Sequence, residues 1–329
     1  MARYHSAMTE RDSRLLSFST PGNWPECRPG RFAAKIVDLH HEANALHRLE
    51  QACFNAAGHD FRGLGLLGLA DDHGVRLNGG RSGAAEGPDA FRAALAGYGA
   101  ADSVALEGFT IPVVDLGNIV PGGSLAETHA RVTETVAAML DAGLMPIGIG
   151  GGHDMTFPEV RAVIDRLVRP KDLTLDGVYF DAHLDVREDD GSGMPFRRLI
   201  EHGGIGRLQL FGFDPLSNTP AHLQWFEDNG GALADWPPTQ WPPSAAQFVS
   251  ICLDVIDMAQ APGVSAPHPA GWPAQRLADY AEAAGRMPSV CCFDIMELSP
   301  PYDDNGRTAR LAAHLFLRFL AGLNQRPST

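Results

Sequence analysis

The sequence lacks the features that mark membrane-embedded and secreted proteins. No apolar stretch approaches the roughly 18–20 residues that a membrane-spanning helix requires. The N-terminal segment MARYHSAMTERDSR has no apolar region of the kind found in signal peptides. Cysteine is scarce. The five cysteines are an odd number, and their spacing follows no regular disulfide framework. We therefore expect reduced thiols and a cytoplasmic protein without a membrane partner.

Basic residues are also few. The chain has 26 lysines and arginines against 40 aspartates and glutamates, which gives a formal net charge of −14. This charge argues against nucleic acid or an anionic membrane surface as the main partner. The acidic residues are scattered along the chain rather than run together, which is typical of a solvated surface.

Glycine and proline, by contrast, are abundant. The 329 residues include 36 glycines and 24 prolines, and these fall in loops between apolar runs. The chain is 44% hydrophobic and 20% charged, which is ordinary for a globular protein with a sizeable core. The composition therefore favours an enzyme with long functional loops over a disordered chain.

Apolar runs of strand length alternate with helical patterns along the chain. The predicted strands are 63–70, 110–117, 145–150, 176–182, 207–213, 247–254 and 289–295, and the predicted helices are 88–98, 124–143, 154–169, 273–286 and 306–322. This alternation predicts an α/β fold with a central, mainly parallel sheet and helices on both faces. Residues 1–60, with their proline-rich breaks, are interpreted as an N-terminal extension packed on a single catalytic domain formed by residues 61–329.

The motif Asp181-Ala182-His183-Leu184-Asp185 directly follows the apolar run VYF. In extended backbone, residues two apart point the same way, so Asp181, His183 and Asp185 are expected to face one site. Two carboxylates and an imidazole suit divalent Mn, Fe, Ni, Zn or Co. Without a cation the acids would repel each other and their pKa values would rise. For this string taken alone, a solvated loop is the alternative.

Three further predicted strands are followed by, or end in, a histidine or an acidic residue. His153 follows the strand MPIGIG and the glycine triplet 150–152, whose small size lets backbone crowd a site. Asp254 ends the strand VSICLD, and Glu297 lies just beyond the strand in VCCFDIMELSP. The carboxyl ends of parallel strands meet at one edge of a sheet, so these residues are expected to converge. Together they predict a metal site, where a bound cation lowers the pKa of water from 15.7 toward about 7.

Three strings resemble the signature motifs of the ureohydrolase (arginase/agmatinase) superfamily: GGGHD at 150–154, DAHLD at 181–185 and the pattern S-x-x-x-D-x-x-D-x-x-x-A-P-G at 250–263. The similarity runs from about residue 65 to residue 322. Other strings are similar to the formimidoylglutamase branch of that superfamily. They are DDHGVRLNGGRSGAAEGPDAFR, DAHLDVR, GSGMPFRRLIE, APGVSAP and DDNGRTARLAA.

The resemblance implies a fold and an activity. The superfamily has an arginase-like α/β fold, binds two Mn(II) ions, hydrolyses the C–N bond of guanidino or amidino groups, and commonly forms homo-oligomers. The branch implies an amidine substrate, with N-formimidoyl-L-glutamate and water converted into L-glutamate and formamide during histidine degradation. A relative that acts on agmatine or another guanidino compound is the enzyme alternative, because the pocket loops rather than the metal motifs decide the substrate.

The resemblance also assigns metal ligands. His153 and Asp185 would bind one metal ion, and His183 and Asp254 would bind the other. Asp181 would bridge the two ions and so take a catalytic part.

Four more residues receive roles outside the metal ligands. Glu297 is similar to the family's acidic residue that pairs with the cationic group of the substrate, which gives it a catalytic and substrate-binding role. Asp257 is expected to orient a ligand or a loop rather than to bind metal. Arg187 or Arg197 would bind substrate carboxylates, and a structural salt bridge is the alternative for each.

One position departs from the family pattern. The family has an aspartate that bridges both metal ions two residues before Asp254, where this chain has Cys252. A thiolate can bridge metals, but it is softer and its donor atom sits one bond closer to the backbone, which shifts the preference from Mn(II) toward Zn(II). Free cysteine is also often a small buried hydrophobe. Three outcomes are open: an altered two-metal centre, a centre with one ion, and a degenerate site in a protein with a structural or regulatory role.

Overall fold

The structure is a computed structural model that describes residues 10–42, 46, 49, 53–99 and 104–326. Its strands are β1 (Ser19–Thr20), β2 (Val37–Asp38), β3 (Phe54–Ala56), β4 (His59–Phe61), β5 (Gly63–Leu69), β6 (Val113–Ile119), β7 (Leu144–Gly150), β8 (Leu175–Phe180), β9 (Ile205–Phe211), β10 (Gly231–Leu233), β11 (Gln247–Cys252) and β12 (Val290–Met296). Its α-helices are α1 (Glu10–Leu15), α2 (His73–Leu77), α3 (Gly87–Leu95), α4 (Leu125–Asp141), α5 (Thr156–Val163), α6 (Pro195–His202), α7 (Pro220–Asp228), α8 (Ala274–Arg286) and α9 (Arg307–Leu323).

One large sheet organises the fold. Its strands lie in the order β1-β6-β5-β7-β12-β11-β8-β9-β10, and β2 also pairs with β6. Every pairing from β6 to β10 along this order is parallel, whereas β1 is antiparallel to β6. Strands β3 and β4 form a separate antiparallel hairpin. The mainly parallel sheet predicted from the sequence is confirmed.

Strand β12 shows that helices cover both faces of the sheet. Asp294 accepts a hydrogen bond from Thr156 at the start of α5, whereas the ring of Phe293 stacks on Phe319 of α9 with 4.2 Å between ring centroids. Because successive side chains of a strand point to opposite faces, α5 and α9 lie on opposite sides. Helix α5 packs with α4 and α6, and α9 packs with α3 and α8. The predicted two helical layers are therefore confirmed.

The strands are apolar along their whole length because they are covered on both faces. All seven residues of β5 are buried, and so are all seven of β7 and all seven of β12. This arrangement explains why the sequence shows continuous apolar runs rather than alternation. The helix ends follow local chemistry as well: the hydroxyl of Ser124 accepts a hydrogen bond from the backbone N–H of Glu127 and caps α4.

The observed boundaries lie close to the predicted ones. Each predicted strand is present within three residues at either end, and the predicted helix 154–169 appears as α5 followed by a π-helical turn, Ile164–Val168. Helices α6 and α7, each of which begins with a proline, were not predicted. No helix of the described ranges is both long and apolar enough to cross a membrane.

The described part of the predicted N-terminal extension lies against the sheet. Strands β1 and β2 both pair with β6, and the indole Nε1 of Trp24 donates a hydrogen bond to Asp115 at 2.5 Å. The ring of Phe32 packs edge-on against Phe316 of α9. Part of residues 1–60, and residues 327–329 of the catalytic domain, lie outside the described ranges, and the division of the chain at residue 60 stays a prediction.

Candidate metal centre

The residues expected to converge follow four strands that are neighbours in the sheet. In the order β7-β12-β11-β8, the carboxyl ends lead into His153, Glu297, Asp254 and Asp181 respectively. All four side chains are buried at this edge. The parallel sheet therefore brings together residues that are as far apart in the chain as 153 and 297.

Asp181 lies at the centre of the cluster. Its Oδ2 is 2.7 Å from Nδ1 of His153, and its Oδ1 is 3.1 Å from Nδ1 of His183. His153 Nδ1 is also 2.8 Å from Oδ2 of Asp185, and His183 Nδ1 is 3.3 Å from Oδ2 of Asp254. The five residues that the sequence singled out as strong ligand candidates thus share one site, with Asp181 between its two halves.

The cluster fits a metal ion better than a set of hydrogen bonds. His153 Nδ1, Asp181 Oδ2 and Asp254 Oδ1 are buried, and none of them has a hydrogen-bond partner of suitable geometry within the described chain. The first two atoms are only 2.7 Å apart, so they approach closely without forming a directed hydrogen bond. Buried polar atoms are normally paired, which makes convergent unpaired ones typical of a cation site.

Two sets of donors stand out within the cluster. The ligand atoms of His153, Asp181 and Cys252 lie within 4.8 Å of one another, and so do those of Asp181, His183 and Asp254. Both sets contain Asp181, which places its carboxylate where it could serve two ions. The donor set of nitrogen, carboxylate oxygen and sulfur is one that divalent transition metals accept.

Burial raises the pKa values of several acidic groups in the cluster. Burial, followed by the charge of Asp181, raises the pKa of Asp185 to about 6. Burial raises the pKa of Glu297 to about 8, with the charge of Asp254 adding to the effect. Burial and the surrounding carboxylates also raise the pKa of the Cys252 thiol well above its ordinary value. Positive charge placed among these groups would restore their ionised forms.

The backbone around the site is shaped for close approach. A side chain at Gly151 would collide with the backbone oxygens of Leu69 and Asp71, so glycine is required at this position after β7. Asp185 and Glu297 adopt left-handed backbone conformations, with φ of 49° and 69°. Such conformations are uncommon for residues other than glycine and are often found at functional sites.

Ser250, Asp294 and Thr156 form a second layer behind His153 that the sequence analysis did not assign. His153 Nε2 is 3.0 Å from Ser250 Oγ, and that hydroxyl donates to Asp294 Oδ1 at 2.6 Å. Thr156 Oγ1 donates to the other carboxylate oxygen of Asp294 at 3.0 Å. The signal for Ser250 was its spacing, two and four residues before Cys252 and Asp254 on one strand face.

Glu297 lies beside the cluster and is held by two donors. Its Oε1 accepts a hydrogen bond from the backbone N–H of His153 at 2.9 Å, and its Oε2 accepts one from the hydroxyl of Ser265 at 2.5 Å. Glu297 and Ser265 both line the cleft that contains His153, His183, Asp185, Cys252 and Asp254. The carboxylate is therefore positioned at the wall of the cleft next to the metal ligands.

The two arginines differ in their surroundings. Arg187 is exposed and lines the cleft, and within the described ranges no carboxylate pairs with its guanidinium. Arg197 instead pairs with Glu201 at 2.9 Å and stacks over the ring of Trp225 at 4.4 Å. Arg197 does not line the cleft, so the structure favours the salt-bridge interpretation for this residue.

Asp257 is separate from the metal cluster. Its Oδ1 accepts a hydrogen bond from the backbone N–H of Ala259 at 2.8 Å, and its backbone N–H donates to Trp272 at 3.1 Å. These contacts shape the loop that follows β11. The expectation that Asp257 orients a loop rather than binds metal agrees with them, while its influence on the ligands stays a prediction.

The chain is similar to known proteins in sequence and in fold. The model of the arginase family matches residues 63–232 and 241–322. The chain belongs to the arginase family. Curated relatives include a formimidoylglutamase of Nocardia farcinica, 35% identical over 276 residues that cover 78% of this chain and 85% of the relative. A formimidoylglutamase of Rhodococcus jostii is 33% identical over 282 residues, which cover 78% of this chain and 84% of the relative.

Solved structures of the arginase family agree with these relatives. The formiminoglutamase of Trypanosoma cruzi with two Mn²⁺ ions superposes with a TM-score of 0.71 at 31% identity, covering 80% of this chain and 94% of that one. The proclavaminate amidino hydrolase of Streptomyces clavuligerus superposes with a TM-score of 0.69 at 23% identity, covering 80% of this chain and 92% of that one, and shows the shared fold.

Proposed function

We propose that the protein hydrolyses the amidine C–N bond of N-formimidoyl-L-glutamate, so that water and the substrate give L-glutamate and formamide. The observation that carries the proposal is the convergence of two donor sets on Asp181, beside a cleft that also holds Glu297 and Arg187, whose guanidinium pairs with no carboxylate of the described ranges. The relatives named formimidoylglutamase, at 33–35% identity over most of their length, support this substrate.

The metal ions of the proposed centre are two divalent cations, and manganese is the first candidate. Mn²⁺ is the ion in the Trypanosoma cruzi formiminoglutamase structure. His153, Asp181 and Asp185 with Cys252 would hold one ion, and Asp181, His183 and Asp254 would hold the other. Bound divalent ions supply Lewis acidity that makes water a competent nucleophile at neutral pH. A centre with a single ion, or with another divalent metal, is the alternative that Cys252 leaves open.

Glu297 and Arg187 bind the substrate in this proposal. The carboxylate of Glu297, facing the cleft beside the ligands, accepts hydrogen bonds from the amidinium N–H groups and so orients the carbon that water attacks. Arg187 at the cleft wall offers its guanidinium to a substrate carboxylate. A substrate with a second cation in place of its carboxylates, such as agmatine, would be repelled by that guanidinium.

A three-substrate assay tests the proposal. The protein is loaded with Mn(II) and supplied separately with N-formimidoyl-L-glutamate, agmatine and arginine, and formamide or urea is measured. We expect formamide release and little turnover of the other two. Faster turnover of agmatine would favour a guanidino-compound hydrolase. Absence of turnover with all three would favour a degenerate site. The role in histidine degradation, the homo-oligomeric state and the cytoplasmic location stay predictions.

A further inference from the structure

The two donor sets that share Asp181 are chemically unequal. The set formed by Asp181, His183 and Asp254 offers oxygen and nitrogen atoms, whereas the set formed with His153 also contains the sulfur of Cys252. Asp185 lies on the same side as the second set, because its Oδ2 is 2.8 Å from His153 Nδ1. One half of the cluster therefore combines nitrogen, oxygen and sulfur.

The fold directs Cys252 into the cluster. Cys252 is the last residue of β11, where its backbone pairs with Met296 of β12, and only 1% of the residue is exposed. Ser250, two residues earlier on the strand, contacts His153 at 3.0 Å. Since residues two apart on a strand point to the same side, the thiol of Cys252 faces the same site as the hydroxyl of Ser250. The ligand atoms of His153 and Asp181, which follow β7 and β8, lie within 4.8 Å of the thiol, and His153 Nδ1 and Asp181 Oδ2 have no hydrogen-bond partner in the described chain.

We propose that the set containing Cys252 selects a thiophilic divalent cation such as Zn(II) or Co(II), while the set containing Asp254 takes Mn(II), so that the protein prefers two different metal ions. The physical reason is that thiolate favours later, softer ions, whereas carboxylate suits harder ones. On binding, the S–H bond is replaced by a sulfur–metal bond and the proton passes to solvent. The inference rests on the metal centre of the proposed function and is independent of its substrate.

Cobalt is the probe for the sulfur ligand. The full-length protein is stripped of metal, titrated with Co(II), and its near-ultraviolet absorption is recorded. We expect a thiolate-to-Co(II) charge-transfer band in the parent that is lost in Cys252→Ser and Cys252→Asp. The matched control is Cys291→Ser, because Cys291 is equally buried on the adjacent strand β12, and its thiol donates to the backbone oxygen of Gln247, as a serine hydroxyl can. We expect Cys291→Ser to keep the charge-transfer band.

Competition between Zn(II) and Mn(II) tests the selectivity. Metal-free protein is dialysed against Zn(II) and a large excess of Mn(II), because Zn(II) binds nitrogen and oxygen donors more tightly than Mn(II) does, and the bound ions are counted by elemental analysis. The parent is expected to hold one of each and to give the electron spin resonance spectrum of an isolated Mn(II) ion. In Cys252→Asp the preference for Zn(II) over Mn(II) at this position falls by about tenfold or more, because a hard carboxylate replaces a soft thiolate.

The outcomes separate the inference from the proposed function. A parent that shows no charge-transfer band, or a band that survives in Cys252→Ser, overturns the inference. An unchanged ratio of Zn(II) to Mn(II) in folded Cys252→Asp overturns it as well. In each of these cases the substrate assay can still detect formamide release from N-formimidoyl-L-glutamate, so the hydrolase proposal stands or fails separately. Circular dichroism of every metal-free variant establishes that it is folded before its metal is counted.

Discussion

The imidazole of His153 is fixed by the hydroxyl of Ser250, which lies 3.0 Å from its Nε2. That hydroxyl donates its own proton to Asp294 at 2.6 Å, so toward His153 it acts as an acceptor. The imidazole therefore carries a proton on Nε2, and the lone pair of the neutral ring lies on Nδ1. Nδ1 is the atom that faces Asp181 and Asp185, so the pair formed by Ser250 and Asp294 prepares His153 to bind a metal ion.

Loss of the Ser250 hydroxyl is expected to weaken metal binding. In Ser250→Ala the ring of His153 loses its acceptor, and the Co(II) affinity of the donor set that contains His153 should fall by about 10- to 100-fold, as is typical when a partner of a metal-binding histidine is removed. Titration of the metal-free protein with Co(II), followed by its near-ultraviolet absorption, measures the change. Ser244→Ala is the control, because Ser244 bonds only to the backbone of Ala246 in the described structure. A variant that loses stability but keeps its Co(II) affinity would show that Ser250 has only a packing role.

The position of Glu297 predicts a loss of catalysis without a loss of metal. Its two carboxylate oxygens accept hydrogen bonds from the backbone N–H of His153 and from the hydroxyl of Ser265. Glu297→Gln keeps the size of the side chain but removes its charge. Because a charge-assisted hydrogen bond contributes about 1.5–3 kcal/mol, kcat/KM for N-formimidoyl-L-glutamate should fall about 10- to 150-fold.

Metal content distinguishes the two roles that Glu297 could have. Elemental analysis of Glu297→Gln should give the same metal content as the parent, since the donors around Asp181 are unchanged. Loss of an ion from this variant would instead make Glu297 a metal ligand and would contradict its assignment to the substrate.

The candidate metal ligands could be predicted from the sequence because each of them follows an apolar run. His153, Asp181 and Asp254 stand at or just past the ends of strands, and a parallel sheet places such ends at one edge. The second layer could not be predicted in the same way. Asp294 sits inside the apolar run VCCFDIM, and its partner Ser250 is on another strand, so only the register of β11 and β12 shows that they meet.

The different surroundings of the two arginines also could not be predicted from the sequence. Both Arg187 and Arg197 lie near the ligand motif in sequence, and their charge alone gives no reason to separate them. The distinction comes from α7, which supplies Trp225 beneath Arg197, and from Glu201 one helical turn further along α6. Helix α7 was itself not predicted, so the surroundings of Arg197 could not be derived from local sequence.

Replacement of the two arginines should therefore have different effects. Arg187→Ala removes a guanidinium that faces the cleft without an acidic partner in the described chain, so kcat/KM for N-formimidoyl-L-glutamate should fall about 10- to 150-fold. Arg197→Ala removes a salt bridge to Glu201 and a contact with Trp225, so its main effect should be a lower melting temperature. Steady-state kinetics and thermal unfolding of both variants measure these changes.

An amidine substrate without carboxylates provides the control for Arg187. If Arg187 binds a substrate carboxylate, the turnover of formamidine should be nearly the same in the parent and in Arg187→Ala. Equal losses on both substrates would mean that Arg187 supports the cleft rather than the substrate.

Glu159 gives a prediction about the pH dependence of stability. This residue of α5 is fully buried, and its Oε2 has no hydrogen-bond partner within the described ranges. Burial, followed by the charge of Asp294, raises the pKa of Glu159 well above the ordinary value of 4.5. The folded protein therefore holds this proton more tightly than the unfolded chain does. The stability that comes from the protonated form is fully present below pH 4.5 and is lost as the pH rises through the pKa of the folded state.

The variant Glu159→Gln should remove this pH dependence, because glutamine keeps the size of the side chain and cannot ionise. One proton changes the free energy of unfolding by at most about 1.4 kcal/mol per pH unit, so the gain of Glu159→Gln over the parent should grow steadily between about pH 5 and pH 8. Denaturant unfolding of both proteins at several pH values, with a chelator present to remove metal linkage, measures this difference. Glu227→Gln on α7 is the control, since Glu227 is exposed. Parallel pH profiles for the parent and Glu159→Gln would show that the carboxyl ionises in the folded protein near its ordinary pKa, and the prediction would be wrong.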